Sequence, residues 1–272
     1  MDACISIFPK FQKDLSLPDL AAWAVGVGLD GINIVLREGY WTPPAQLAET
    51  LPVFLKTLTD AGLQVPFCTA GLQPKALVED PGLLRILADH GVPAFRLAYI
   101  RGDDDPRGLL REARQDLEAL VPVLQAIGIK AVHQVHHGTL ISSAFAAWHL
   151  IEGLPADAIG VELDPGNQAW EGFEAWGKSA RLLGEHLCAV GVKDVLWRRE
   201  SEPDPDDPRK GWRQDWALLE DGVVDWQALI DALRSIAFAG PLVLMPHYHP
   251  DNPEGQTAGI RRDVAYLKQL LG

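Results

Sequence analysis

The sequence predicts a single (β/α)₈ barrel over residues 1–272. Three observations carry that expectation. Eight short apolar segments alternate with longer amphipathic ones. The length of 272 residues fits barrels that reach about 250 residues as one domain. Neither of the glycine-rich phosphate loops that often open a doubly wound sheet occurs.

The expected strands are Ala3–Phe8, Gly31–Val35, Gln64–Cys68, Ala94–Tyr99, Ile129–Val135, Ala158–Leu163, Leu187–Val192 and Leu242–Met245. They are short, apolar on successive positions and often preceded by glycine, as strands buried on both faces of a parallel sheet should be. Helical stripes separate them: Leu47, Leu51, Phe54, Leu55 and Leu58; Leu110, Ala113, Leu117, Leu120 and Leu124; Trp226, Leu229, Ile230 and Leu233; Ile260, Val264, Leu267 and Leu271. Pro122 is expected to kink or break the second of these. Glycines 62, 91, 128 and 240 read as helix stops. Glu200–Lys210, rich in Asp, Pro and Arg, is an excursion after the seventh strand and a candidate lid.

Composition narrows the function classes. A net charge of −13 disfavours nucleic acid and anionic membranes as partners. No apolar run approaches the ~20 residues of a membrane helix, and the start carries no secretory pattern. Cys4, Cys68 and Cys188 are too few and scattered for a disulfide framework or zinc knuckle and read as buried thiols. A cytoplasmic protein is expected; a homo-oligomer stays open.

In such a barrel the chemistry sits at the C-terminal strand ends. Reading those ends gives Arg37, Arg96, Gln134, His136, Asp164, Asn167, Lys193 and His247. Period-2 alternation puts Gln134 and His136 on one side of their strand and His133 on the other. Gln134, His136, Asp164 and Lys193 should therefore converge. His136, Asp164, Lys193 and His247 form the candidate acid/base set; Arg37, Arg96, Gln134 and Asn167 are candidate substrate contacts. Trp41, Trp170 and Trp197, with Trp212 and Trp216, follow strands; the first three are candidates for stacking on a sugar ring. For each residue a purely structural role remains open: a turn at Asp164–Asn167, a surface pair at Lys193–Asp194, loop packing by the tryptophans.

Gly160-Val161-Glu162-Leu163-Asp164-Pro165-Gly166-Asn167, Val190-Gly191-Val192-Lys193-Asp194 and Leu219 through Trp226 resemble motifs of the sugar phosphate isomerase/epimerase group of xylose-isomerase-like barrels. Gly31–Arg37 and Gln134–Thr139 are similar to its second- and fifth-strand motifs. The likeness spans most of the chain and is strongest from Gly128 to Ile236. It implies a divalent metal held by Glu, Asp, His and Glu, with carboxylates moving a proton beside a carbonyl. Here those four positions fall on Gln134, Asp164, Gly191 and Met245. Neither glycine nor methionine offers a hard ligand. The alternatives are a rebuilt site from His136, Asp164 and His247, holding Mn, Zn, Co or Fe, or no metal.

The resemblance implies isomerisation or epimerisation of a small sugar or hydroxy-carbonyl compound. A metal-independent lyase on a keto sugar or glycoside, and a non-catalytic sugar-binding barrel, are the rivals. Abasic-site endonucleases share the fold but need a metal-rich site and a basic surface. With Asp164 as base, Asp164→Asn is expected to abolish activity at little cost in stability.

Overall fold

A computed structural model describes residues 1–102, 104–172, 174–201, 206 and 211–272. Its strands are β1 (Ile5–Ile7), β2 (Gly31–Ile32), β3 (Ile34–Val35), β4 (Cys68–Leu72), β5 (Ala94–Leu97), β6 (Lys130–Gln134), β7 (Ile159–Leu163), β8 (Leu187–Val192), β9 (Asp194–Arg199), β10 (Trp212–Ala217) and β11 (Leu242–Leu244). Nine of them form one parallel sheet in the order β2-β1-β11-β8-β7-β6-β5-β4-β3. The two ends of that order, β2 and β3, are halves of one strand parted by Asn33. Asn33 N donates to Ile7 O at 2.9 Å, and Ile34 N to Phe67 O at 3.0 Å, so the sheet closes through this residue. The result is the expected eight-stranded barrel.

Helices cover its outside: α1 (Leu17–Gly26), α2 (Leu47–Asp60), α3 (Pro74–Glu79), α4 (Gly82–Asp89), α5 (Pro106–Ile127), α6 (Ala144–Ile151), α7 (Pro165–Glu171), α8 (Trp176–Leu183), α9 (Trp226–Ser235) and α10 (Pro253–Leu271). Local chemistry starts several of them. Ser16, Asp105, Ser143, Asp225 and Asn252 each accept a backbone N–H from the first turn. The predicted stripes face the core: Leu47, Leu51, Phe54 and Leu58 of α2 and Leu117, Leu120 and Leu124 of α5 are all buried. No helix among the described residues is long and apolar enough to cross a membrane.

Four local expectations are corrected. The strand foreseen at Gln64–Cys68 runs from Cys68 to Leu72, with one isolated bridge at Gln64. Pro66 has no N–H to give the ladder, so pairing resumes only after it. Helix α5 continues through Pro122, which with Glu118 lies on the exposed face. There the carbonyl freed by the missing N–H meets water. Gly240 does not terminate a helix in the left-handed region. That conformation belongs to Ala237 (φ 52°), and Gly240 is glycine because a Cβ would collide with the Cys188 carbonyl. Of the three thiols only Cys68 is fully buried; Cys4 and Cys188 are half-buried.

The excursion after β8 is an antiparallel hairpin, β9 paired with β10, in which Trp216 lies opposite Val195. The lid expected at Glu200–Lys210 falls largely on residues outside the described ones.

Candidate functional site

The side chains that point into the C-terminal mouth of the barrel are organised around Gln134. Its Oε1 accepts hydrogen bonds from Arg96 Nη1 (2.8 Å) and Tyr99 Oη (2.7 Å). Its Nε2 donates to Asp164 Oδ2 at 2.9 Å and approaches Met245 Sδ at 3.4 Å. The amide is therefore polarised in one sense, accepting on the cationic side and donating on the anionic one. A glutamate here would set one carboxylate against another, which explains the neutral residue.

Asp164 is fully buried. It caps α7, Oδ1 accepting from Asn167 N at 2.8 Å, while Oδ2 also lies 3.3 Å from Lys193 Nζ. Burial pushes its pKa up, and Lys193 opposes that. A Cβ on Gly191 would stand 2.9 Å from Asp164 Oδ2, so a bare glycine is what lets the carboxylate occupy that space. The four positions marked by the family resemblance thus do converge, but on a carboxylate faced by an amide N–H and an ammonium, with the Met245 thioether against the amide. Both groups facing the carboxylate are hydrogen-bond donors, which repel a cation rather than ligate it.

The rebuilt His136–Asp164–His247 set is not gathered either. Among the described residues no three His, Cys, Asp or Glu side chains are placed to hold an ion. Both imidazoles are turned to backbone carbonyls: His136 Nδ1 to His137 O and His247 Nδ1 to Met245 O, each at 2.7 Å. A carbonyl only accepts, so each Nδ1 carries the hydrogen and each Nε2 keeps its lone pair. Burial lowers both to about 3, with Lys193 adding to the effect. They are neutral bases across the physiological range.

A cavity of about 180 Å³ opens here, lined by Phe8, Lys10, Arg37, Arg96, Tyr99, Gln134, His136, Lys193, Met245 and His247. Six of the residues singled out in the sequence meet at it: Arg37, Arg96, Gln134, His136, Lys193 and His247. Asp164 stands behind Gln134 and Lys193 and does not line it. Asn167 is spent internally, accepting from His137 Nδ1 and donating to the Val135 carbonyl.

The tryptophan candidates lie away from the cavity wall. Trp41 donates to Leu15 O and packs its own loop. Trp197 is half-exposed on β9 and donates to Ala169 O. Trp170 stacks on Trp216 at 4.4 Å. Trp216 comes closest to the site, its ring 4.8 Å from Lys193 Nζ and 5.1 Å from His247.

Sequence reading missed Lys10, Tyr99 and Glu162. Lys10 and Tyr99 each lie two or three residues past a strand, where strand-end reading could have found them. Glu162 shares the inward face of β7 with Asp164 by period-2 alternation. It is fully buried, neither carboxylate oxygen has a hydrogen-bond partner among the described residues, and burial raises it to about 7. His133, on the opposite side of β6 from Gln134, lines a separate outer cavity with Gln73 and Asp116.

Comparison with known proteins places this geometry in context. The family model described as xylose isomerase-like TIM barrel matches residues 21–270. The sequence matches no curated protein significantly. Among solved structures, D-psicose 3-epimerase from Clostridium cellulolyticum H10 superposes with a TM-score of 0.72 at 14% identity, covering 98% of this chain and 99% of that one. A xylose isomerase-like protein from Mycobacterium smegmatis, in complex with magnesium, gives 0.71 at 15% identity (99% and 97%). The probable 3-DHS dehydratase AsbF from Bacillus anthracis gives 0.68 at 15% (97% and 98%). At these identities the likeness is one of fold.

Proposed function

Because this chain belongs to the xylose isomerase-like TIM barrel family, we propose that it is an isomerase- or epimerase-like enzyme that moves a proton beside the carbonyl of a small sugar or hydroxy-carbonyl compound, using side chains where relatives use a metal. The observation that carries this reading is the pair of neutral imidazoles, His136 and His247, each fixed by a carbonyl and each lining the cavity that Lys193, Arg96 and Arg37 make cationic.

The substrate's C–H proton passes to an imidazole Nε2, and its electron pair moves onto the carbonyl oxygen. The resulting enolate faces Lys193, Arg96 and Arg37, which stabilise the charge where it develops. Return of a proton to the former carbonyl carbon, with the proton of the adjacent hydroxyl passing to the former carbonyl oxygen, isomerises the compound; return to the other face of the same carbon epimerises it. Asp164 serves as a positioning residue that holds Lys193 and Gln134. A divalent ion does not fit the donors around it, so no step runs through one.

The same enolate can expel a hydroxyl from the next carbon, which leaves as water with the proton held by the imidazolium, and a probable dehydratase among the structural neighbours keeps elimination as the second reading. The test is proton NMR of ketoses and keto acids incubated with the enzyme in D₂O and chelator. Deuterium appearing next to the carbonyl supports the reading. Loss of water distinguishes elimination. Absence of exchange in every compound overturns both.

A further inference from the structure

Four cations meet at the cavity, and the two buried carboxylates nearest them, Asp164 and Glu162, act on Arg96 and Lys193 but leave Lys10 and Arg37 uncompensated. Lys10, Arg37, Arg96 and Lys193 all line it. Of these four, only Lys193 has an ion-pair partner among the described residues, Asp164; Arg37, Arg96 and Lys10 have no described carboxylate within ion-pair distance. Arg96 is almost completely buried. Its Nε and Nη1 go to the Ala70 carbonyl and to Gln134, both neutral acceptors. Arg37 and Lys10 rest over the rings of Phe8 and Phe11, at 5.5 and 5.2 Å. Those contacts orient the charges without cancelling them.

The cations also act on one another. Arg37 is lowered by burial and then by Arg96, and Lys10 by burial and then by Arg37. A chain with a net charge of −13 thus concentrates positive charge in one narrow, partly apolar recess, where Coulomb interactions are least screened. A neutral sugar would leave that repulsion unrelieved. An oxyanion offsets it, and the planar guanidiniums of Arg37 and Arg96 match carboxylate or phosphate oxygens.

We infer that the cavity takes a polyhydroxylated compound of sugar size bearing an oxyanion, with Arg37 and Lys10 gripping the anionic group at the mouth and Arg96 and Lys193 facing the reacting carbons. The inference rests on the site assigned above but not on its chemistry, since it concerns binding. A carboxylate and a phosphate ester satisfy the same four cations, and the experiment separates them.

Isothermal titration calorimetry compares matched pairs on the whole protein: D-gluconate with D-glucitol, D-glucuronate with D-glucose, and D-fructose 6-phosphate with D-fructose, with inorganic phosphate alone as a further arm. The expected result is that at least one acid binds about tenfold or more tightly than its neutral counterpart. Arg37→Gln and Lys10→Gln should each weaken that acid about tenfold, and added NaCl should weaken it in the wild type. Gluconate or glucuronate winning identifies a carboxylate; fructose 6-phosphate winning, with or without phosphate, identifies a phosphate ester.

Equal binding of acid and neutral partners overturns the inference. So does failure of every anion to bind below about 10 mM, or unchanged affinity in folded Lys10→Gln, which keeps the test alive if Arg37→Gln does not fold. Proton exchange on a neutral sugar without acid binding would sink the anion and spare the proposed chemistry. Acid binding without exchange would do the reverse.

Discussion

Lys193 Nζ lies 3.3 Å from Asp164 Oδ2, and both side chains are shut away from water. Removing one member of such a pair strands the other's charge in the interior. Asp164→Asn is therefore expected to lower stability by about 3–5 kcal/mol, against the sequence-based expectation that this carboxylate can be neutralised at little cost. Urea denaturation measures it. Adding Lys193→Met to Asp164→Asn should recover part of the loss, and a double variant less stable than the single one would refute the pairing.

Gly191 leaves no room for a side chain beside Asp164. Gly191→Ala should cost about 1–3 kcal/mol by overpacking and should disturb Lys193, raising KM or lowering kcat beyond what the melting temperature explains. An alanine variant with wild-type stability would show that the carboxylate can move aside.

His136→Gln or His247→Gln should lower the rate of deuterium exchange by about 10²–10⁴-fold, with thermal midpoints close to wild type. Lys10 and Lys193 both help hold His247 down at about 3. An oxyanion in the cavity offsets those charges and raises the basicity of the ring, so exchange should be faster on an acid than on its neutral counterpart. Equal loss of exchange and of folding in these variants would make the histidines structural.

Stability should respond to pH through two opposed sets of groups. His133, His136 and His247 have folded pKa values near 4, 3 and 3, below the ordinary 6.5. The unfolded chain therefore binds more protons below that value, and stability falls as pH drops from 6.5. Glu162 is the reverse case, raised to about 7 from 4.5. Its folded form holds the proton longer, so stability falls as pH rises from 4.5 through 7. Glu162→Gln should accordingly gain on wild type by up to roughly 3 kcal/mol between pH 5 and pH 8, read by denaturation at both values. An identical difference at the two pH values would mean that Glu162 does not titrate there.

Exhaustive dialysis against chelator should leave exchange activity and melting temperature unchanged, because the groups facing Asp164 are donors. Loss of activity, restored by Mg²⁺ or Mn²⁺, would overturn the metal-free assignment.

The barrel was legible because its strands are buried on both faces and its helices carry regular stripes, both properties of single residues in order. Strand-end counting likewise picked out Arg37, Arg96, Gln134, His136, Lys193 and His247, which line one cavity. What escaped depended on partners. Nothing local distinguishes the spent carboxylate of Asp164 from an available base, because the difference lies in Gln134 and Lys193, thirty and twenty-nine residues away. Trp170 and Trp216 follow the same logic: their stacking depends on a hairpin register invisible to periodicity. Pro66 and Pro122 show the local limit, since one proline displaced a strand and the other left a helix whole.

That hairpin places a ring at the site through main-chain pairing. Trp216 is located by its pairing with Val195, and Glu200 N closes the ladder on Gly211 O at 2.7 Å. The ladder fixes where the indole stands over Lys193. A shift of one residue in its register would turn the Trp216 side chain to the opposite face of the hairpin and withdraw the ring from Lys193 and His247 together.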